Sequence, residues 1–366
     1  MRRKSLKQEN NSSSMNREQE AAVNIVLPNW NGLRFLPACL ASIKQQRVAL
    51  HVTVVDNGSI DGSLEYLEKN HPQVRVIALP ENRGFSAAVN QGILSSTAPF
   101  VFLLNNDTEL APDCLHHLMA AAEEQEKFVF FSPKMLNFYE RTILDGAGDG
   151  YLRGGAGHRL GTMEQDGPAY NVPGPIFGAC AGAVLYRRSL FDDIGLFDED
   201  FFAYLEDVDL NLRINYSGRQ GYYVPAARVY HIGSASSGSK INPFTVRLST
   251  CNSLYVLLKN YPIRLIFRFL PVIFIYQCLW LLFVIKKGQF LPYLQGIRQA
   301  LNGMVMMRKK WGMFSQNTSQ DHTLTVDEFA SCLTAAEKTV VQSIMRRRVA
   351  EGKKNWFFRV YLKVFL

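Results

Sequence analysis

The chain has 366 residues, 47% hydrophobic and 20% charged, an ordinary balance for a protein that packs a core, and its length accommodates two domains or one large domain with an appendage. Its six cysteines (Cys39, Cys114, Cys180, Cys251, Cys278, Cys332) form no CxxC pair, which argues against a zinc site or a disulfide framework and for a reducing compartment. The net charge of +8 is unevenly placed: residues 241–366 hold 18 Lys+Arg against 5 Asp+Glu (+13), and residues 1–240 hold 22 against 27 (−5).

The first 20 residues, MRRKSLKQENNSSSMNREQE, carry charge but no apolar segment. They read as a disordered tail over 1–21 rather than a secretory signal. VNIVLP (23–28) is an apolar strand, and Leu36, Leu40 and Ile43 follow at helical spacing. LHVTVVD (50–56) is a second strand, and Asp61 is placed to cap a helix through about Asn70. VRVIAL (74–79) is a third strand, residues 84–94 read as a helix, and PFVFLLN (99–105) is a fourth strand. Pro112 and Asp113 open another helix. This alternation means βαβ units, a mostly parallel sheet and a doubly wound α/β fold.

Residues 144–175 are rich in Gly and Pro without a clear period, which predicts a long lid or binding loop. Order returns at GACAGAVLYRRSLF (178–191), a helix covers about 206–217, and GYYVP (221–225) reads as a short strand. VYHIGSASSGS (229–239) ends in a flexible stretch. FLPVIFIYQCLWLLFVI (269–285) is uncharged, barely long enough for a bilayer core at about 1.5 Å per residue, and weakened by Pro271 and Gln277. It is a buried helix or a membrane segment. The tail RRRVAEGKKNWFFRVYLKVFL (346–366) interleaves Lys and Arg with Trp356, Phe357, Phe358 and Tyr361, which favours a membrane interface over nucleic acid for the basic region 246–366.

Polar groups recur where strands end. FLLNNDTEL (102–110) stops at Asn105, Asn106 and Asp107, and VVDNGSIDGS (54–63) presents Asp56 and Asn57. In open α/β sheets ligands sit at that edge. NRGFSAAVNQG (82–92) adds Gly84 for close backbone approach and a helix start whose N–H groups suit an anion. Any one of these is explicable as turn chemistry, but three at matching ends make a pocket for a polar, phosphate-bearing ligand. A GxGxxG after the first strand and a GxxxxGK[ST] are both absent, so dinucleotide dehydrogenases and P-loop enzymes lose ground. Trp30 either belongs to a turn or flanks an aromatic base.

In YLEDVDLNLRI (204–214), Glu206, Asp207 and Asp209 sit at a helix start. One carboxylate suffices for a cap. Three within four positions repel one another, raise at least one pKa and suit a general base. His231 is either structural or, with Asp107, a ligand for Mn²⁺ or Mg²⁺.

Over about residues 22–240 the chain resembles the family 2 glycosyltransferases, inverting enzymes of the glycosyltransferase A fold. The resemblance is carried by VLPNWNG, VVDNGSIDGS, ENRGFSAAVNQG, FLLNNDTEL, GACAGAVLYRRSLF, LFDEDFFAYLEDVDLNLR and VYHIGSAS, in that order. It is closest to the rhamnosyltransferase-like branch of bacterial surface polysaccharide synthesis. The resemblance implies a Rossmann-like catalytic domain over 22–245 that moves a sugar, rhamnose from dTDP-rhamnose favoured, to a lipid-linked or polysaccharide acceptor. Pro28, Asn29 and Trp30 would line the nucleotide pocket, Asp56 would meet the base, and Asn57, Asn82, Gly84, Asn90, Asn105 and Asn106 would help hold the nucleotide-sugar. Asp107 and His231 would hold a divalent metal, and Asp207 would be the base, with Glu206 orienting the acceptor or supporting the base. Cys180, Ala181 and Gly182 would form part of the acceptor wall. Asn105-Asn106 stand where many relatives carry aspartates, which leaves one carboxylate for the metal.

The basic C-terminus fits an acceptor anchored in the cytoplasmic leaflet of a bacterial inner membrane, with the enzyme peripheral or single-pass. The alternatives are a UDP-sugar-dependent transferase of the same family (galactofuranosyl, glucosyl or N-acetylhexosaminyl), a nucleotidyltransferase, or a non-catalytic binder of nucleotide-sugars. NWNGLRF after the first strand lacks the Gly-rich basic loop that a nucleotidyltransferase uses.

Overall fold

In the computed structural model, which describes residues 21–233, 241–317 and 323–366, the chain opens with the expected alternation. The elements are β1 (Val23–Asn29), α1 (Leu36–Lys44), β2 (Leu50–Asn57), α2 (Ser63–Asn70), β3 (Arg75–Leu79), α3 (Phe85–Leu94) and β4 (Phe100–Leu104). Each strand predicted here lies within about a residue of its observed bounds, because each is a continuous apolar run that a sheet covered on both faces requires. The helix at Asp61 starts two residues later than its cap: Asp61 accepts from the Ser63 backbone N–H at 3.1 Å and from Leu33 N–H at 2.8 Å, which ties α2 to the loop after β1.

Next come β5 (Thr108–Leu110), α4 (Cys114–Glu124) and β6 (Phe130–Asn137). The segment 144–175 corrects the loop expectation. It holds β7 (Leu144–Gly146), the hairpin β8 (Asp149–Leu152) and β9 (Ala156–Arg159), and β10 (Gly174–Ile176). Strands of three or four residues are too short to show an alternating pattern. The glycines that hid them have a packing reason. A Cβ on Gly157 would lie 2.6 Å from the Val208 side chain, so a neighbouring helix rests directly on the hairpin backbone.

The domain continues with β11 (Ala183–Arg187), α5 (Leu190–Ile194), α6 (Glu206–Tyr216) and β12 (Gly221–His231). The strand expected at 221–225 runs on to His231, past a register shift between Val224 and Arg228 that accommodates Pro225. The main sheet has the order β10-β12-β6-β11-β4-β1-β2-β3. From β12 to β3 all strands run one way except β11, which is antiparallel to both neighbours. One face packs α1, α2 and α4 through Leu40, Leu67 and Leu118; the other packs α3, α5 and α6 through Val89, Phe191 and Leu210. This is the doubly wound α/β architecture with a mostly parallel central sheet.

The C-terminal region is helical: α7 (Pro243–Asn260), α8 (Ile263–Lys286), α9 (Phe290–Asn317), α10 (Val326–Ala350) and α11 (Trp356–Phe365). The boundary expected at 245/246 lies inside the first turn of α7, where Asn242 and Thr245 form a capping box. A third core joins Val208 and Leu212 of α6 to Cys251, Tyr255, Leu265, Phe329 and Leu333. Asp209, the third acid of the helix start, is fully buried. It accepts from Arg213 Nε at 3.0 Å, Lys259 Nζ at 2.8 Å and Asn260 Nδ2 at 2.9 Å, and so fastens α7 to α6. The tail expectation at 1–21 and the flexible stretch at 234–239 lie almost wholly outside the described residues.

Candidate active site

A cavity of about 1020 Å³ opens at the carboxyl ends of β1, β2 and β4. Among its lining residues are Pro28, Asn29, Trp30, Asn57, Asn82, Gly84, Asn105, Asn106, Asp107, Cys180, Ala181, Gly182, Glu206, Asp207 and His231. The sheet brings them together: β1 pairs β2 in register, so Asn29 stands beside Asp56, and β12 pairs β5, so His231 stands opposite Thr108 and next to Asp107.

The wall at the sheet edge is a chain of neutral amides. Asn106 Nδ2 donates to Asn29 Oδ1 at 2.7 Å, and Asn29 Nδ2 donates to Asp56 Oδ2 at 2.8 Å. Asn57 Nδ2 donates to Asn82 Oδ1 and to the Gly84 carbonyl, both at 3.0 Å. Gly84, at φ +90°, has the Phe202 carbonyl 2.5 Å from where a Cβ would stand, so only glycine fits this turn. Trp30, 41% exposed, stands at the mouth.

Two expected donor contacts do not reach the cavity. Asp56 is fully buried behind Asn29, and its second oxygen accepts from the Ser59 N–H at 2.9 Å. It braces the wall instead of facing a ligand. Asn90 lies on the buried face of α3, where its amide both donates to the Phe197 carbonyl (2.9 Å) and accepts from the Phe197 N–H (3.1 Å). It splices the 195–199 loop to α3, a task its sequence context did not reveal.

At the floor, His231 Nε2 lies 3.4 Å from Asp107 Oδ1, and His231 Nδ1 lies 2.7 Å from Asp145 Oδ2. Burial alone would lower the His231 pKa; the hydrogen bonds with Asp107 and Asp145 outweigh it, and the net shift is upward. Burial alone would raise that of Asp107, yet the His231 contact brings it below its ordinary value. This donor set fits a divalent cation. Two ligands on one octahedral site of about 2.1 Å bonds stand about 3 Å apart. A carboxylate on Nδ1 fixes the tautomer that leaves Nε2 free to ligate, which is the usual outer partner of a metal-bound histidine.

The facing wall carries the charge. Glu206 and Asp207 open α6, immediately after Phe202, Tyr204 and Leu205, whose φ values are all positive (61°, 70° and 65°). Non-glycine residues hold such angles only where the surroundings impose them. Here Asn252 of α7 imposes them: its Nδ2 donates to the carbonyls of Phe201, Ala203 and Tyr204 at 2.9, 2.9 and 2.7 Å. The strip turns α6 so that its first carboxylates face the cavity. Burial raises the Asp207 pKa and Arg159 opposes it; the net shift is upward. Burial, then the Asp207 charge, pushes Glu206 well above the carboxylate range. The predicted repulsion within the acidic cluster is therefore present, with burial the larger cause. Glu206 Oε2 is buried with no hydrogen-bond partner among the described residues.

Arg159 joins the two centres. It contacts Asp145, donates from Nη2 to Cys180 Sγ at 2.7 Å, and lies 3.5 Å from His231 Nδ1. Asp149, Cys180 and Asp207 converge within 4.8 Å, and the cation among them is this guanidinium. Burial lifts Asp149 to about 7, against the pull of Arg159. Sequence reasoning missed Asp145, Asp149, Arg159 and Asn252. The first three lie in the stretch taken for a loop; the signal was two aspartates in LDGAGDG ahead of an arginine. Asn252 carries no local signal, since its partners are 48 to 51 residues away.

Residues 24–195 match the model of Glycosyl transferase family 2. The chain is 29% identical over 212 residues to the N-acetylglucosaminyl-diphospho-decaprenol L-rhamnosyltransferase of Mycobacterium tuberculosis, covering 51% of this chain and 68% of that protein. It is 28% identical over 196 residues to the PGL/p-HBAD biosynthesis glycosyltransferase of Mycobacterium bovis, covering 52% and 68%. The solved structure of GalNAc-T7 with UDP, GalNAc and Mn2+ superposes with a TM-score of 0.51 at 17% identity, over 66% of this chain and 51% of that one.

Proposed function

From the premise that this chain belongs to glycosyl transferase family 2 and is a glycosyltransferase, we propose that it moves a sugar, with inversion, from a nucleotide diphospho-sugar to a hydroxyl of a lipid-linked acceptor. The observation that carries this reading is the meeting of Asp107, His231 and Asp207 on one cavity beside an amide-lined wall. Rhamnose from dTDP-rhamnose is the favoured donor, because the rhamnosyltransferase similarity is carried over 212 residues. The name of that relative supports a sugar on a polyprenyl diphosphate as acceptor.

The amide wall of Asn29, Asn57, Asn82, Asn105 and Asn106 holds the donor, and Trp30 stacks on the base. A divalent cation, Mg²⁺ or Mn²⁺, held by Asp107 and His231 would neutralise charge on the departing diphosphate. Asp207 accepts the proton of the acceptor hydroxyl as its oxygen bonds to the anomeric carbon. The bond from that carbon to the diphosphate oxygen breaks on the opposite face, so the configuration inverts. Glu206, kept protonated by burial, donates a hydrogen bond to the acceptor or to Asp207. The wall at Cys180, Ala181 and Gly182 confines the acceptor, and Ala181 N–H reaches Asp207 Oδ2 at 3.4 Å. The setting is the cytoplasmic face of a bacterial inner membrane.

The test is transfer from dTDP-rhamnose, UDP-galactofuranose, UDP-glucose and UDP-N-acetylglucosamine to a polyprenyl-diphosphate sugar, with Mn²⁺ or with chelator. The expected product is an inverted glycoside that forms with metal from one donor. Absence of both transfer and slow donor hydrolysis with every donor would reduce the chain to a binder.

A further inference from the structure

We propose that α8, the start of α9 and α11 form a docking face for an anionic lipid leaflet, with α8 lying along the membrane rather than through it. The proposal rests on the lipid-linked reading above and says how that acceptor is met.

α8 carries two stripes. Leu265, Phe269, Val272, Tyr276, Trp280 and Val284 recur at spacings of three and four and face the protein; Leu265, Phe269, Val272 and Val284 are buried. Phe267, Leu270, Phe274, Leu282 and Ile285 recur on the other side and are exposed, Phe267 at 69% and Phe274 at 68%. Polar contacts pin the inner stripe near the helix middle. Gln277 Nε2 donates to the Gly154 carbonyl at 3.1 Å and to Ser253 Oγ at 3.0 Å, and Trp280 Nε1 donates to Thr250 Oγ1 at 2.9 Å. A Cβ on Gly154 would stand 2.2 Å from Tyr276, so the hairpin backbone rests on the helix. From Leu265 to Val284 the pinned length is about 29 Å at 1.5 Å per residue, the thickness of a bilayer's hydrocarbon. If α8 spanned, the hairpin and α7 would sit at bilayer depth with it, where their polar groups are costly. A helix with one side on protein and one side apolar and open belongs in the interface plane.

The open face is continuous. Trp356, Val360 and Val364 of α11 recur every four residues and are exposed. The end of α11 meets the start of α8 at Arg153, which donates from Nη2 to the Phe365 carbonyl at 2.9 Å and stacks on Phe269. The turn from α8 to α9 adds Phe290, Leu291 and Leu294, all exposed. α8, α9 and α11 contain no Asp or Glu, and their open surface carries Arg264, Lys286, Lys287, Arg298, Arg359 and Lys363. That charge complements an anionic leaflet, at about fivefold in partitioning for each basic residue near the surface. α9 packs on the helix that lines the cavity: Arg247 of α7 donates to Gln299 Oε1 at 2.8 Å, and on α7 Phe244 and Ser249 line the cavity.

Flotation of the purified full chain with phosphatidylcholine vesicles, with and without phosphatidylglycerol, tests this. Strong flotation is expected only with phosphatidylglycerol, and alkaline carbonate should release the protein. Phe274→Glu/Leu282→Glu, at positions that touch no core, should abolish flotation, while Lys286→Gln/Lys287→Gln should lower partitioning about 30-fold. Far-ultraviolet circular dichroism checks that both pairs fold. Wild-type flotation that ignores phosphatidylglycerol, folded variants that float like wild type, or resistance to carbonate would each overturn the proposal. Flotation needs no sugar donor, so its failure is distinct from failure of the transferase reading, which donor hydrolysis reports.

Discussion

The two walls of the cavity solve the problem of a polar site in opposite ways. The sheet-edge wall is built from amides whose partners are mostly one another, as in the run Asn106–Asn29–Asp56. Its polar groups are satisfied without net charge at the surface, and it can meet a ligand without first shedding an ion. The facing wall concentrates Asp145, Asp149 and Asp207 around one guanidinium, Arg159, with Glu206 next to Asp207. Buried charge of that kind is stable only while every partner is present. The first wall is suited to holding, the second to moving a proton. Damage should therefore be steep on the charged wall and shallow on the amide wall.

The sharpest way to break that contrast is Asp207→Asn. Turnover should fall by roughly 10²–10⁴, while donor affinity measured by thermal shift persists. Near-normal turnover would move the base to Glu206. Next is Asp145→Asn, which touches no substrate in this reading and should weaken apparent Mn²⁺ affinity by about 10- to 100-fold through His231. A metal titration of the activity measures it. Asn252→Leu follows. Without its three hydrogen bonds the positive-φ strip relaxes, and kcat should fall about tenfold or more with KM for the donor little changed, since misplacement of a catalytic group is felt chiefly in rate.

Arg159→Gln sharpens the comparison through pH. The Asp207 pKa is already raised, and Arg159 restrains it. A base works deprotonated, so activity should rise with pH along a limb set by this carboxyl, and losing the cation should shift that limb to higher pH. A pH–kcat profile of the two proteins decides it; an unmoved limb would detach Arg159 from the base. The smallest effect should come from Asn106→Ala, about 1 kcal/mol of donor binding for one neutral hydrogen bond, read as a rise in KM alone.

The sequence was legible where local physics sufficed. Runs such as PFVFLLN are apolar because both faces of the sheet are covered, and their polar ends point to the binding edge. The acidic start of α6 was equally readable, since three carboxylates in four positions exceed a cap's need. Legibility failed where a partner is remote. Asp56 and Asn90 look like ligand contacts until Asn29 and Phe197 are seen to occupy them. The hairpin carrying Asp149 and Arg159 was hidden because its glycines admit α6 and α10, a reason that exists only in three dimensions. Asp209 shows in the sequence only as one of three acids at a helix start, whereas Lys259 and Asn260 make it the rivet of the helical region.

α7 is where the two ends of the reaction are held to a common frame. On one flank its Asn252 holds the turn that aims Asp207 into the cavity; on another its Thr250 and Ser253 grip α8. For an enzyme seated this way, the height of the reacting carboxyl above the headgroups is a constant of the fold. An acceptor would then be chosen partly by stature: a glycan one residue too short or too long would present its hydroxyl at the wrong level, whatever its chemistry.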